Sequence, residues 1–193
     1  MFWFDVRSEK IDDYEYGVQV LLKFGWKIKG IVIDGKKGVL NRLQSYAPVQ
    51  HCHFHQVAIV TRYLTRNPQS HATQTLRKIA LKLTRSSLEE FSFLLKIWYL
   101  KYEHLLKEKT YHPGGKWSYT HRRLRSCYRS LNTNLKWLFT YQDIEDMPNT
   151  TNSLDGSISN LRTLQRIHRG AKLPLQRKIT QELLRGLNPQ YFH

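Results

Sequence analysis

A chain of 193 residues is long enough for one domain with a genuine core, or for one domain carrying an insertion. Its 40% hydrophobic and 12% aromatic content excludes a disordered protein, and two cysteines, Cys52 and Cys127, exclude a disulfide-stapled one. The 31 Lys and Arg against 15 Asp and Glu give a net charge of +16, which points to phosphate-bearing partners.

Taken in chain order, Phe2, Trp3, Phe4 and Val6 are strand formers that open the chain without the charged leader of a signal peptide. No apolar run approaches the roughly 20 residues needed to span a bilayer. The expectation is therefore a cytoplasmic protein, nucleoid-associated if bacterial, with no membrane partner. Asp12-Asp13 suits the positive end of a helix, and Tyr14, Val18, Leu21 and Leu22 form its apolar stripe up to Gly25. Residues 26–33 end in Ile31-Val32-Ile33, which predicts a strand running out at Asp34. Residues 35–46 predict a helix with Val39, Leu40 and Leu43 on one side. Pro48 then opens an extended segment through Cys52. The first 55 residues thus read strand-helix-strand-helix-strand, and such alternation implies a partly parallel sheet.

From residue 56 to 138 the pattern is helix after helix, broken at Pro68, at Arg85-Ser86-Ser87 and at Pro113-Gly114-Gly115. Ser87-Leu88-Glu89-Glu90 fits a capping box ahead of the stripe Leu88, Phe91, Leu94, Leu95, Trp98, Tyr102, Leu105 and Leu106. A second helix starts near Thr120 and packs through Leu124, Tyr128, Leu131, Leu135 and Leu138, which leaves Arg122, Arg123, Arg125 and Arg129 free. An acidic loop over 142–149 closes this section, and Thr150-Thr151-Asn152 offers N-caps for a further helix. That helix would bury Leu154, Ile158, Leu161 and Leu164 and hold Asp155 in its first turn. A basic tail from His168-Arg169 and a last helix over 173–187 complete the chain. The organisation expected is α/β over 1–55, a helical insertion over 56–148, and a terminal segment over 149–193.

Charge is distributed unevenly along this organisation. Residues 1–50 carry 8 Lys and Arg against 6 Asp and Glu, whereas no acid occurs between Asp34 and Glu89 and nine Lys and Arg do. A basic stretch of this kind suits a nucleic-acid backbone.

Phosphodiester chemistry with two divalent ions needs carboxylates from separate elements converging on metals about 4 Å apart. Carboxylate oxygens suit Mg²⁺, which keeps several waters and takes few protein ligands. A strand-end Asp34 and a helix-start Asp155 are the candidates. The bland alternatives are that Asp34-Gly35 is an ordinary turn and that Asp155 simply favours the helix dipole. The Cys52-His53-Phe54-His55 pair is open in the same way. Structural zinc needs four N or S ligands, and strand alternation would set Cys52 on the face opposite His51, His53 and His55. Packing is the simpler role.

Order and combination carry more than any single residue. Val32-Ile33-Asp34-Gly35, then Val49-Gln50-His51-Cys52-His53-Phe54-His55-Gln56, then Thr150-Thr151-Asn152-Ser153-Leu154-Asp155 resemble the signatures of mutator-type insertion-sequence transposases. The resemblance implies a partial ribonuclease-H-like mixed sheet with an all-helical insertion before the last catalytic helix. It matches Asp34 to the second acid of a catalytic triad, Cys52 and His55 to the family's Cys-x-x-His motif, and Asp155 to the third acid, where the family usually has Glu. It implies Mg²⁺ or Mn²⁺ held by Asp34 and Asp155. It further implies water-driven cleavage of transposon ends and strand transfer into target DNA, with dimers assembling on paired ends. Arg122, Arg123, Arg125, Arg129, His168 and Arg169 would hold the DNA backbone. The first acid of the family lies on an earlier strand than the one containing Asp5, so a C-terminal portion, inactive alone, is expected. The rival readings are a non-catalytic nucleic-acid-binding protein, such as a domesticated transposase remnant, and a zinc-stabilised interaction domain.

Overall fold

The structure, a computed structural model, describes Val6, residues 8–36 and 38–152, and residues 156, 159, 162–163 and 166–186. Helix α1, Ile11–Lys23, starts where the Asp13 carboxylate accepts the Lys10 backbone N–H at 2.8 Å, with Asp12 and Asp13 at the positive end of the dipole. It stops at Gly25, whose φ of +80° is a left-handed conformation that glycine adopts without penalty. Strand β1 (Ile31–Ile33), helix α2 (Val39–Leu43) and strand β2 (Val49–His51) follow. The strands pair in parallel, with Ile31 opposite Val49 and Ile33 opposite His51. Val18, Ile33, Val39, Leu40, Leu43 and Val49 form one buried cluster around them.

Two expected elements are shorter than the sequence pattern suggested. The strand read over 26–33 is confined to its last three residues. Its partner β2 supplies a ladder only from Pro48, whose carbonyl accepts the Ile31 N–H at 2.9 Å, and Trp26 is 48% exposed. The helix read over 35–46 shrinks to α2, because Gly35 and Gly38 take φ of +80° and +86°, left-handed conformations that keep both glycines out of the helix. Its buried face, Val39, Leu40 and Leu43, is the one expected. The opening strand falls, except for Val6, outside the described residues, as does Asp5.

The second cluster is built by α3 (His53–Leu64), α4 (His71–Leu81), α5 (Leu88–Lys107) and α6 (Arg122–Leu138). Serines cap two of these helices: Ser70 Oγ accepts the Thr73 N–H at 3.3 Å and Ser87 Oγ the Glu90 N–H at 3.2 Å. On α5 the expected stripe buries Phe91, Leu95, Trp98, Tyr102 and Leu106. The section read as purely helical is corrected between α5 and α6. There β3 (Lys109–Tyr111) and β4 (Trp117–Tyr119) form an antiparallel hairpin. Threonine and aromatic residues favour extended backbone, and Gly114 and Gly115, at φ of +82° and +74°, make the turn. The last described helix, α7, is Leu173–Gly186.

A buried polar joint ties the two clusters together. Gln50 Nε2 donates to the Leu138 carbonyl at 2.8 Å, and Gln50 Oε1 accepts the Tyr141 N–H at 3.0 Å. Thr140 Oγ1 donates to the Val49 carbonyl at 2.8 Å. Asn134 Nδ2 donates to Gln56 Oε1 at 2.8 Å, so α6 is keyed to both β2 and α3. The architecture is mixed α/β with two two-stranded sheets among the described residues. No described helix is long and apolar enough to cross a membrane.

Candidate functional site

Parallel strands present their carboxyl ends together, and ligands of open α/β sheets commonly sit at that edge. Here the register sets Asp34, just past β1, beside Cys52, just past β2, and the Cys52 N–H donates to the Ile33 carbonyl at 2.8 Å. Helix α3 begins at His53, so its positive end faces the same edge. Asp34 is exposed, and its Oδ1 accepts the Lys36 N–H at 3.3 Å in a local Asx turn. It opens into a groove of about 510 Å³ together with His55, Glu9, Lys36 and Arg62.

The early start of α3 changes the geometry of the Cys-x-x-His pair. The extended segment, expected to run through Cys52, ends at His51. Cys52 becomes the N-cap and His55 falls one turn on, so the two residues sit on the same side of the helix start instead of on opposite strand faces. Cys52 is fully buried, and its Sγ accepts both the N–H and the Oγ1–H of Thr151 at 3.4 Å. Burial alone would push the thiol up, but hydrogen bonding from Thr151 and from His55 outweighs it and holds Cys52 below its ordinary value. The His53 N–H donates to the Asn149 carbonyl at 2.9 Å. Residues 149–151 are therefore pinned to the start of α3 through two neighbouring residues.

Of the sites read from sequence, the structure brings Asp34 and His55 into one groove and docks Thr151 on Cys52. Asp155 lies outside the described residues. Among the described residues no three His, Cys, Asp or Glu side chains are grouped to hold a metal ion, so a divalent site at Asp34 would need ligands such as Asp155 from beyond them. Asp34 suits that use in kind, being an exposed carboxylate at the groove wall.

His51 lines the back of this edge. It is fully buried, neither ring nitrogen has a hydrogen-bond partner, and Gly35 packs so closely that a Cβ there would lie 2.1 Å from Nε2. Burial drives its pKa down to about 4, against an opposing pull from Asp34. Across the groove, Glu9 accepts from the Tyr14 hydroxyl and pairs with Lys36 Nζ at 3.3 Å. The Tyr14 hydrogen bond, with Lys36 adding to it, keeps the Glu9 carboxyl below the usual range despite some opposing desolvation.

The basic candidates divide. Arg122, Arg123 and Arg129 on α6 are exposed, as are His168 and Arg169 ahead of α7. Arg125 is not free as expected. Its Nη1 donates to the Leu106 carbonyl at 2.9 Å and its guanidinium lies 4.0 Å from the Tyr119 ring centroid. It closes the negative end of α5 against the hairpin.

No family model, curated protein or solved structure matches this chain. Sequence reasoning overlooked Glu9 and Arg62, which only the folded groove brings beside Asp34. It also overlooked Thr151 as the partner of Cys52. The hairpin carried a readable signal, since Lys109-Thr110-Tyr111 and Trp117-Ser118-Tyr119 flank Pro113-Gly114-Gly115 with strand formers.

Proposed function

We propose that this chain carries part of the catalytic machinery of a mutator-type DNA transposase, a partial ribonuclease-H-like core in which Asp34 and Asp155 hold Mg²⁺ or Mn²⁺. The observation that carries the reading is the convergence at one sheet edge. Asp34 shares a groove with His55, and the segment leading to Asp155 is hydrogen-bonded to Cys52 as far as Thr151. Asp34, the Cys52–His55 pair and Thr151 at the start of the third motif thus lie at one sheet edge, and metal-assisted phosphodiester chemistry requires ligands from separate elements to converge in this way. The positive end of α3 and the cations Lys36 and Arg62 at the groove favour an incoming phosphate.

On this reading the substrates are transposon ends and target DNA, bound by a homodimer in the cytoplasm or on a bacterial nucleoid. Arg122, Arg123, Arg129, His168 and Arg169 contact the phosphates. The test is Mn²⁺ binding followed by electron paramagnetic resonance, alongside binding of a labelled duplex. Asp34→Asn and Asp155→Asn should each weaken Mn²⁺ binding at least tenfold and leave duplex binding intact, because these carboxylates serve the metal rather than the DNA backbone. Mn²⁺ affinity unchanged by both substitutions would defeat the proposal and favour a non-catalytic nucleic-acid-binding protein.

A further inference from the structure

The pleat sorts the side chains of the hairpin into two unlike faces. Lys109 pairs with Tyr119, Thr110 with Ser118 and Tyr111 with Trp117, so Lys109, Tyr111, Trp117 and Tyr119 share one face and Thr110 and Ser118 the other. The second face is satisfied within the hairpin: Thr110 Oγ1 bonds Thr120 Oγ1 at 2.8 Å and His112 Nε2 bonds Ser118 Oγ at 2.9 Å. The first face leaves Tyr111 73% and Trp117 47% exposed, and neither belongs to a buried cluster.

Cations are laid on these rings. Lys109 Nζ lies 4.0 Å from the Trp117 centroid, Arg125 sits over Tyr119, and Trp117 and Tyr119 meet edge to face at 5.2 Å. Arg122 and Arg123 are exposed just beyond β4. Of the nearby acids, Glu103 is paired with Lys107 at 2.7 Å, and Glu108 lies 3.2 Å from His121 Nε2. An aromatic strip flanked by cations complements a ligand that offers flat π-faces and phosphates together. Bases in a duplex hide their faces by stacking on each other, whereas an unpaired strand exposes them.

We propose that this hairpin face binds single-stranded nucleic acid. Bases stack on Tyr111 and Trp117 while Lys109, Arg122 and Arg123 neutralise the backbone. The inference rests on the nucleic-acid half of the reading above and not on its metal chemistry.

Fluorescence anisotropy of a labelled oligothymidylate and of a labelled duplex, with the whole chain, tests it. The parent should bind the single strand. Tyr111→Ala/Trp117→Ala should weaken that binding by roughly tenfold or more, as expected for loss of base stacking, with duplex affinity unchanged. Tyr111→Phe/Trp117→Phe should bind as the parent does, and because both residues are exposed, circular dichroism should show the fold retained in both variants. Equal single-strand affinity for the parent and the alanine variant would overturn the proposal. A parent that binds duplex but no single strand would overturn it while sparing the reading above, and one that binds neither would overturn both. Anionic vesicles serve as the control: binding there that the alanine variant loses, without single-strand binding, would assign the face to a membrane and overturn the proposal.

Discussion

His51 makes the sheet edge sensitive to acid. Its ring is buried and unpaired in the folded chain, so the proton it readily takes up when unfolded, near pH 6.5, is resisted until about pH 4. The unfolded state therefore binds more protons across this window, and stability falls as pH drops from about 6.5 towards 4. The full effect of one such shift is on the order of 3 kcal/mol. Buried His53, its pKa also lowered by burial, adds in the same direction. Urea midpoints measured through this range should fall less steeply in His51→Leu than in the parent, and equal slopes would refute the assignment. At this scale Asp34, Cys52 and His55 were legible because an apolar run before an acid and a spaced thiol–imidazole pair are visible in one dimension. The close fit of Gly35 against His51 was not, since it depends on two strands lying side by side.

The joint between α3 and residues 149–151 is the element-level device on which the proposed site depends. Cys52 Sγ is the acceptor for two donors of Thr151, so removing it takes away both of these hydrogen bonds. A hydrogen bond contributes about 0.5–1.5 kcal/mol net, so Cys52→Ala should loosen this segment more than the lost packing of a small thiol would. Hydrogen exchange at the Thr151 amide should accelerate in Cys52→Ala and stay close to the parent in Cys52→Ser, which keeps an acceptor. Unchanged protection in Cys52→Ala would show that the contact does not hold the segment. Periodicity alone revealed the long helices α5 and α6, whose stripes repeat over several turns. It overestimated β1 and α2, where the length of a partner strand and two left-handed glycines set the limits. It passed over the hairpin because three-residue strands are too short to display a period.

Across the whole molecule, charge and fold run in parallel. The cluster around β1 and β2 carries nearly balanced charge, whereas the stretch forming α3 and α4 holds no acid, and α6 adds exposed Arg122, Arg123 and Arg129. If nucleic acid binds along the helical part, each phosphate neutralised releases condensed counterions, and log affinity falls against log salt by about 0.9 per contact on duplex DNA. Arg122→Ala/Arg123→Ala should then lower affinity for unrelated duplex sequences to a similar extent and reduce the magnitude of that slope by about 2. Lys10→Ala/Lys23→Ala, which removes the same charge from α1, should leave the slope unchanged, because net charge alone adds only a screened, long-range attraction. Titrations of a labelled duplex over a range of salt concentrations distinguish the two cases. Equal slope changes for both pairs would mean that the excess charge acts as a diffuse field, and that the exposed arginines of α6 form no contact surface.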